Sequence, residues 1–289
     1  MHKKTSNKEF YIERLNIVTE YIQTHLDAKI TLNELSKLSH FSAYHFHKIM
    51  KAMLKEPIGA YIVRVRLEQA AQQLQYTGKA IEQIAYSVGY ETPSSLSKQF
   101  KNHFGISPTE YRNGKIATHK QTIRMETKLN IKKPKMVQLE PKNVLYCKLQ
   151  GPYQELDYAT AWEQLWGEVK NQKLFTAGIE HIGISYDDPN LTEQEKIRYD
   201  ACLVIHKPAK PKGSVGVKTL NAGMFAMFHY TGSYKNLSQV YDFIFNEWLL
   251  NSPYQLRDEP LRERYRNNPQ RTEESKLKTE IYIPIQPLS

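Results

Sequence analysis

Between residues 92 and 101 the chain reads Thr-Pro-Ser-Ser-Leu-Ser-Lys-Gln-Phe-Lys, which gathers short hydroxyls and cations around a few apolar positions. Proline fits a helix only near its first turn, where the missing N–H costs nothing, so a helix is predicted from Thr92 or Pro93 to about His103. Leu96, Phe100 and Phe104 then form one stripe at i, i+4 and i+8. Ser94, Ser95, Ser97, Lys98 and Lys101 occupy the other face, where hydroxyls and ammonium groups suit a polar, negatively charged surface. A solvated helix face has the same composition. His45 and His47 do not share a helical face, and Cys147 and Cys202 lie in apolar stretches without metal-type spacing. No metal site and no cofactor is expected, and both thiols are expected reduced.

The elements that hold these residues belong to a chain of 289 residues, 40% hydrophobic, with a formal net charge of +10, enough for two or three domains. It contains no apolar run of about 18 residues, and its first residues lack the apolar segment of a secretion signal, so no membrane association and a cytoplasmic location are expected. The basic excess is uneven. Residues 1–115 carry 16 Lys and Arg against 10 Asp and Glu, residues 116–142 carry 7 against 2, and residues 143–289 carry 17 against 18. A basic first half suits an anionic polymer, and a near-neutral second half suits a different ligand.

The first half is a repeat. Leu35 and Phe41 match Ile84 and Tyr90 at an offset of 49; Phe46, Met50, Leu54 and Tyr61 match Leu96, Phe100, Phe104 and Tyr111 at 50. Each copy is read as a short helix (32–38; 81–87), a tight turn and an amphipathic helix (43–54; 93–103). Thr31 and Glu34 form a capping box in the first copy, and Gly89 supplies a turn residue tolerant of positive φ in the second. Between the copies, the stretch from Pro57 to Gln75 is read as one helix of about 18 residues and about 27 Å. Successive major grooves on one face of DNA are about 34 Å apart, so such a rod can hold two helices in adjacent turns of a duplex.

With "IAYSVGYETPSSLSKQFKNHFGISPTEYR" closing the unit, residues 10–115 resemble the DNA-binding domain of AraC/XylS transcription regulators. The resemblance implies base reading from outward positions near each recognition-helix N-terminus, here Tyr44, His47 and Lys48 in the first helix, with Lys51 on the same helix. Ser94, Ser95, Ser97 and Lys98 correspond in the second, with Lys101 and Arg112 as phosphate contacts. Lys48 can donate to guanine O6 or N7, and Tyr44 can pack on a thymine methyl. Tyr44 stands where relatives often carry tryptophan, and lysines replace the forked arginine.

A second repeat lies further on: Gly151 and Tyr153 match Gly232 and Tyr234 at an offset of 81, each after a strand and before an amphipathic helix with inward aromatics, Trp162 and Trp166 or Phe243 and Trp248. Further strands are predicted near 135 and over 181–186, 198–206, 215–219 and 278–285. A cleft at the pseudo-twofold axis between the halves is expected to hold a ligand. The double Gly-x-Tyr, "LRERYRNNP" at 261–269 and "TEIYIPI" at 279–285 resemble the GyrI-like effector-binding domain of multidrug-responsive regulators. That resemblance implies a small organic effector, cationic and aromatic, bound between Trp166, Tyr230, Trp248 and Tyr265 with Glu263 and Glu280 as counter-ions. By strand alternation Glu280 points away from Ile281, into the presumed cleft. Glu263 sits in a charge-rich run that a solvated salt bridge would also explain, and tryptophans on a sheet-packing helix also serve as core.

The expected architecture is an all-α double helix-turn-helix domain (1–115), a linker (116–134) and an α+β domain (135–289) of duplicated strand-helix-strand-strand units, an antiparallel sheet with helices. The expected role is a non-enzymatic transcription regulator, an activator, with double-stranded DNA, a small-molecule effector and RNA polymerase as partners. Two other roles for the second half are a protein-interaction module and, through its paired glutamates, a hydrolase of small electrophilic toxins.

Overall fold

The computed structural model describes residues 7–119, 129–189 and 192–288. It divides into two compact units, helical before about residue 118 and mixed α/β beyond it. Of the linker expected over 116–134, residues 116–119 are the end of the last helix of the first unit, residues 120–128 lie outside the described residues, and Ile131 bridges Tyr230.

The helical unit comprises α1 (Asn7–Thr24), α2 (Leu32–Leu38), α3 (Ala43–Leu54), α4 (Ile58–Tyr76), α5 (Ile81–Ser87), α6 (Pro93–Phe104) and α7 (Pro108–His119). Local chemistry sets most boundaries. Thr31 Oγ1 accepts from Glu34 N while the Glu34 carboxylate accepts from Thr31 N, closing the expected capping box of α2. Ser42 caps α3, Thr92 caps α6 with Pro93 in its first turn, and Ser107 and Glu110 form a further reciprocal cap on α7. Gly105, at φ 79°, ends α6.

The two helix-turn-helix turns superpose bond for bond. His40 N donates to Lys37 O and Phe41 N to Ser36 O; at the 49-residue offset, Gly89 N donates to Tyr86 O and Tyr90 N to Ala85 O. His40 (φ 57°) and Gly89 (φ 79°) both take the left-handed conformation. Only the second position needs glycine for space, because a Cβ there would lie 2.2 Å from Leu26 O and 2.5 Å from Arg66 Nη2. Buried Val18, Ile22, Leu35, Phe46, Met50 and Val65 form one core of this unit, and Ile84, Leu96 and Phe100 are equally buried in the second copy.

The second unit is an antiparallel sheet of β1 (Lys135–Leu139), β2 (Lys142–Gln150), β3 (His181–Ser185), β4 (Arg198–Val204), β5 (Val215–Leu220), β6 (Gly223–Thr231), β7 (Tyr254–Leu256), β8 (Leu261–Tyr265) and β9 (Lys278–Pro287). The order is β1-β6-β9-β8-β3-β4-β2-β5, with β7 beside β9. Helix α8 (Tyr158–Asn171) follows β2; α9 (Leu237–Asp242) follows β6 and continues as a π-helical turn, Phe243–Trp248.

Register assigns the faces. Leu203, His181, Tyr265 and Thr279 lie in line across β4, β3, β8 and β9, as do Ala201, Gly183, Glu263 and Ile281. These residues share the face of Leu145 and Cys147, against which α8 packs Ala161, Leu165 and Val169. The other face carries Val144, Tyr146, Ile182, Ile184, Cys202 and Val204. It is concave: β1 and β2 are six strand spacings apart, about 29 Å in a flat sheet, yet Glu140 and Pro141 alone join them. Two residues cannot bridge that distance, so the sheet curls, and it curls over this face, where Leu139 and Lys142 border one small cavity with Ile182, Arg264 and Tyr282.

The sequence reading missed β7, β8, α1 and α7. In β8, Leu-Arg-Glu-Arg-Tyr shows no apolar alternation, because both faces of this central strand bury charged or polar groups: Arg262 is 3% exposed and Glu263 4%. The solvated salt bridge considered for Glu263 is therefore overturned.

Candidate functional sites

The pseudo-twofold axis passes between β3 and β8. An offset of 80 carries β3 onto β8, so Gly183 and Glu263 are equivalent residues as well as register partners. One copy supplies a carboxylate at the axis and the other supplies space. A Cβ on Gly183 would lie 2.1 Å from the Tyr199 hydroxyl and 2.5 Å from that of Tyr265, a gap that only glycine leaves.

Tyrosine hydroxyls enclose the carboxylate. Tyr241 donates to Glu263 Oε1 at 2.5 Å and Tyr265 to Oε2 at 2.6 Å, and the Tyr199 hydroxyl is 2.7 Å from that of Tyr265. The rings of Tyr234 and Trp162 lie 5.4 and 6.3 Å from that of Tyr265, and those of Tyr158 and Tyr153 lie 5.2 and 6.3 Å from Tyr199. Two of these rings are fixed from behind: Tyr153 donates to Asp187 O and Tyr158 to Tyr153 O. Among the described residues no lysine, arginine or histidine is within ion-pair distance of Glu263. Its burial raises the carboxyl pKa, and the two tyrosine hydrogen bonds oppose that rise. Burial, with the neighbouring Glu263 adding to it, raises the phenol pKa values, to about 12 for Tyr234. A buried carboxylate without a cation is electrostatically incomplete, and the surrounding π-faces favour a cation that fills the gap.

The residues expected at this site divide into three groups. Glu263 and Tyr265 form its centre. Trp166 borders it at one remove: its indole N–H donates to His181 Nε2 at 3.2 Å, the imidazole packs 5.2 Å from Trp162, and the outer side of Trp166 stacks on exposed Phe175. Burial lowers the His181 pKa, which keeps the ring neutral and able to accept the indole proton.

Three residues depart from expectation. Tyr230 donates to Ser233 O under Gly232, where a Cβ would be 2.4 Å from its hydroxyl, so it props the second Gly-x-Tyr turn. Trp248 packs on Phe228 at 5.0 Å and Tyr254 at 6.5 Å, away from the carboxylate. Glu280 does alternate with Ile281, but the aromatic cluster lies on the helix-bearing face, which leaves Glu280 on the concave one. There it accepts from Tyr282 and pairs with Arg264 at 3.4 Å and Arg266 at 3.5 Å. One sheet separates the two glutamates, so they cannot serve one ligand as paired counter-ions or as acid and base. Tyr153, Tyr158, Tyr199, Tyr234 and Tyr241 were missed as cluster members. Tyr153 and Tyr234 stood out as turn markers in the Gly-x-Tyr motifs, whereas only strand pairing brings in Tyr199.

In the helical unit, the outward face of α3 presents exposed His47, Lys48 and Lys51, and α6 presents Ser94, Ser95, Lys98 and Lys101. The side chain of Tyr44 lies outside the described residues. Ser97 is half-buried. The Ser94 and Ser95 hydroxyls are 3.1 and 2.8 Å from Thr92 Oγ1, so they extend the cap network at the helix start. Arg112 is a correction: its guanidinium donates to Leu74 O at 3.2 Å and Lys79 O at 2.7 Å, which ties α7 to the end of α4 and the loop beyond. That role commits the fork that a phosphate would use. No group of three His, Cys, Asp or Glu suited to a metal occurs among the described residues. Nor is any helix among them long and apolar enough to cross a membrane.

Comparison with known proteins matches residues 35–114 to a helix-turn-helix domain and residues 132–286 to a GyrI-like small molecule binding domain. The probable transcriptional regulator LumQ of Photobacterium leiognathi is 34% identical over 103 residues, 35% of this chain and 42% of LumQ. The HTH-type transcriptional activator AarP of Providencia stuartii is 28% identical over 104 residues, 36% of this chain and 77% of AarP. The chain thus spans less than half of LumQ. A cryo-EM structure of an EcmrR–DNA complex is 14% identical with a TM-score of 0.48, covering 89% of this chain and 99% of that one. The second match takes in more than half of the sequence, over the strands and helices that build the Glu263 cluster. The chain belongs to the family of the GyrI-like small molecule binding domain, joined here to an AraC-type helix-turn-helix domain.

Proposed function

We propose that this protein is a cytoplasmic, ligand-responsive transcription regulator, an activator, whose helical unit binds double-stranded DNA through α3 and α6. Its second unit binds a small aromatic organic cation beside Glu263. The observation that carries the effector reading is the buried carboxylate held by Tyr241 and Tyr265 with no cationic partner among the described residues. A delocalised cation is cheaper to desolvate than a compact ammonium and gains contact with several ring faces. Exposed lysines on two capped helices support phosphate and base contacts with DNA, and AarP, one of the matched relatives, is named an activator. RNA polymerase is the partner through which an activator of this kind would act. The reading is of a binding protein rather than an enzyme, because the two glutamates that a hydrolase would pair lie on opposite faces of the sheet.

Titration of the full-length protein with lipophilic organic cations and their neutral isosteres, followed by tryptophan fluorescence, tests this. Saturable binding of cations that Glu263→Gln weakens at least tenfold is expected. Equal affinity for charged and neutral members of a pair would remove the counter-ion role.

A further inference from the structure

The two recognition helices carry the same pair of lysines. Lys48 and Lys51 on α3 match Lys98 and Lys101 on α6 at the 50-residue offset, and all four are exposed. Position 55 extends the α3 stripe by one turn, because residues i, i+3 and i+7 lie within about 60° of one another at about 100° per residue. On α6 the equivalent position is Gly105, and the stripe stops at two lysines; on α3 it is Lys55.

Lys55 is strained where it stands. As the C-cap of α3 it takes φ 61° and ψ 9°, the left-handed conformation, which a residue with a Cβ adopts at a cost in stability. Gly105 caps α6 in the same region, at φ 79°, without that cost. Space does not decide between the two residues, since a Cβ on Gly105 would meet nothing within 4 Å. Nor does an internal contact offset the strain: Lys55 is exposed, and no hydrogen bond or ion pair among the described residues engages its side chain. The adjacent carboxylate, Glu56, accepts from Nε and Nη2 of Arg64 and is committed to that ion pair. A backbone outlier that the fold neither requires nor compensates points to a contact made outside the fold.

We propose, on the reading of the helical unit as a DNA-binding domain, that Lys55 contacts a backbone phosphate of the duplex from the C-terminal end of α3. A recognition helix that presents its first turns to base edges directs its last turn toward the sugar-phosphate wall, and the homeodomain recognition helix meets the backbone at this same end. An ammonium group suits a phosphate, which positions the protein through charge and needs no fork. The first helix-turn-helix grips its groove with three lysines along one stripe and the second with two, so the first carries the larger share of the salt-sensitive binding.

The test uses a duplex that the full-length wild-type protein selects from a random-sequence pool, with affinity measured across a range of salt concentrations. Lys55→Gly should reduce the slope of log affinity against log salt by about 1. It should weaken binding roughly five- to tenfold at about 0.1 M salt, with a melting temperature level with wild type or higher as the strain is released. Lys55→Gln keeps the strained side chain without its charge and should lose the same slope; Lys55→Arg keeps the charge and should keep the slope. An undiminished slope in Lys55→Gly, or a slope reduced as far in Lys55→Arg, would overturn the contact while leaving the DNA-binding reading intact. Failure of the wild type to select any duplex would remove that reading and the contact together.

Discussion

Gly183 and Glu263 face each other across the β3–β8 ladder as the same position in two copies of one repeat. A duplicated fold would otherwise place two like side chains at the axis. Two carboxylates there would repel and two glycines would bind nothing, so the difference between them creates a single anionic site of defined depth.

The first prediction concerns this gap. Gly183→Ala puts a methyl group 2.1 Å from the Tyr199 hydroxyl, so the tyrosine network must move. Overpacking of this kind costs about 1–3 kcal/mol. Denaturant unfolding should show that loss, and fluorescence titration should show weaker cation binding; an unchanged midpoint and unchanged affinity would count against the tight cluster.

Glu263 should also leave a mark on the pH dependence of stability. Its folded pKa is raised, so the native state holds this proton at pH values where the unfolded chain has released it. The group's contribution is therefore fully present below the unfolded carboxylate pKa and is lost as pH rises through the folded pKa. Other carboxylates, such as Glu34, shift downward and act in the opposite sense. Subtracting the profile of Glu263→Gln from that of the wild type isolates the effect, which must fall with rising pH; a rising difference curve would contradict the burial cause.

Arg112 and Lys48 are expected to separate stability from DNA binding. Arg112→Ala abandons two backbone carbonyls and should lower stability by about 1–3 kcal/mol, leaving the salt dependence of DNA affinity unchanged. Lys48→Ala should leave the melting temperature unchanged and reduce the slope of log affinity against log salt by about 1 if Lys48 meets a phosphate. An undiminished slope, with relaxed sequence preference, would instead assign Lys48 to a base.

The paired turns predict opposite outcomes for opposite substitutions. Gly89→Ala brings a Cβ within 2.2 Å of Leu26 O at φ 79°, where backbone must move, and should destabilise by well over about 1 kcal/mol. His40→Gly releases a left-handed strain of about 1 kcal/mol against the added backbone freedom of glycine, so its midpoint should stay within a degree or two of wild type. A large loss in His40→Gly would mean that the imidazole holds the turn.

The sequence by itself determined the repeated core of the helical unit, α2 to α6, but not the flanking α1 and α7. Its boundaries are written in local chemistry that acts over three or four residues: the Thr31–Glu34 box, Ser42 and Thr92 as caps, and Pro93 in a first turn. The 49- and 50-residue offsets then matched one copy to the other. The second unit's strands and helices were legible from alternation and the Gly-x-Tyr repeat, except the three-residue β7, and β8, whose charged residues conceal a central strand. Glu263 and Tyr265 could be named through a resemblance; their enclosure by Tyr199 and Tyr241 could not. Strand order decides which tyrosines meet, and it is fixed by pairings between residues as far apart as Gly183 and Glu263. The same order put Glu280 on the concave face. Alternation along β9 shows that Glu280 and Ile281 face opposite ways, but only the packing of α8 and α9 determines which of those faces carries the aromatic site.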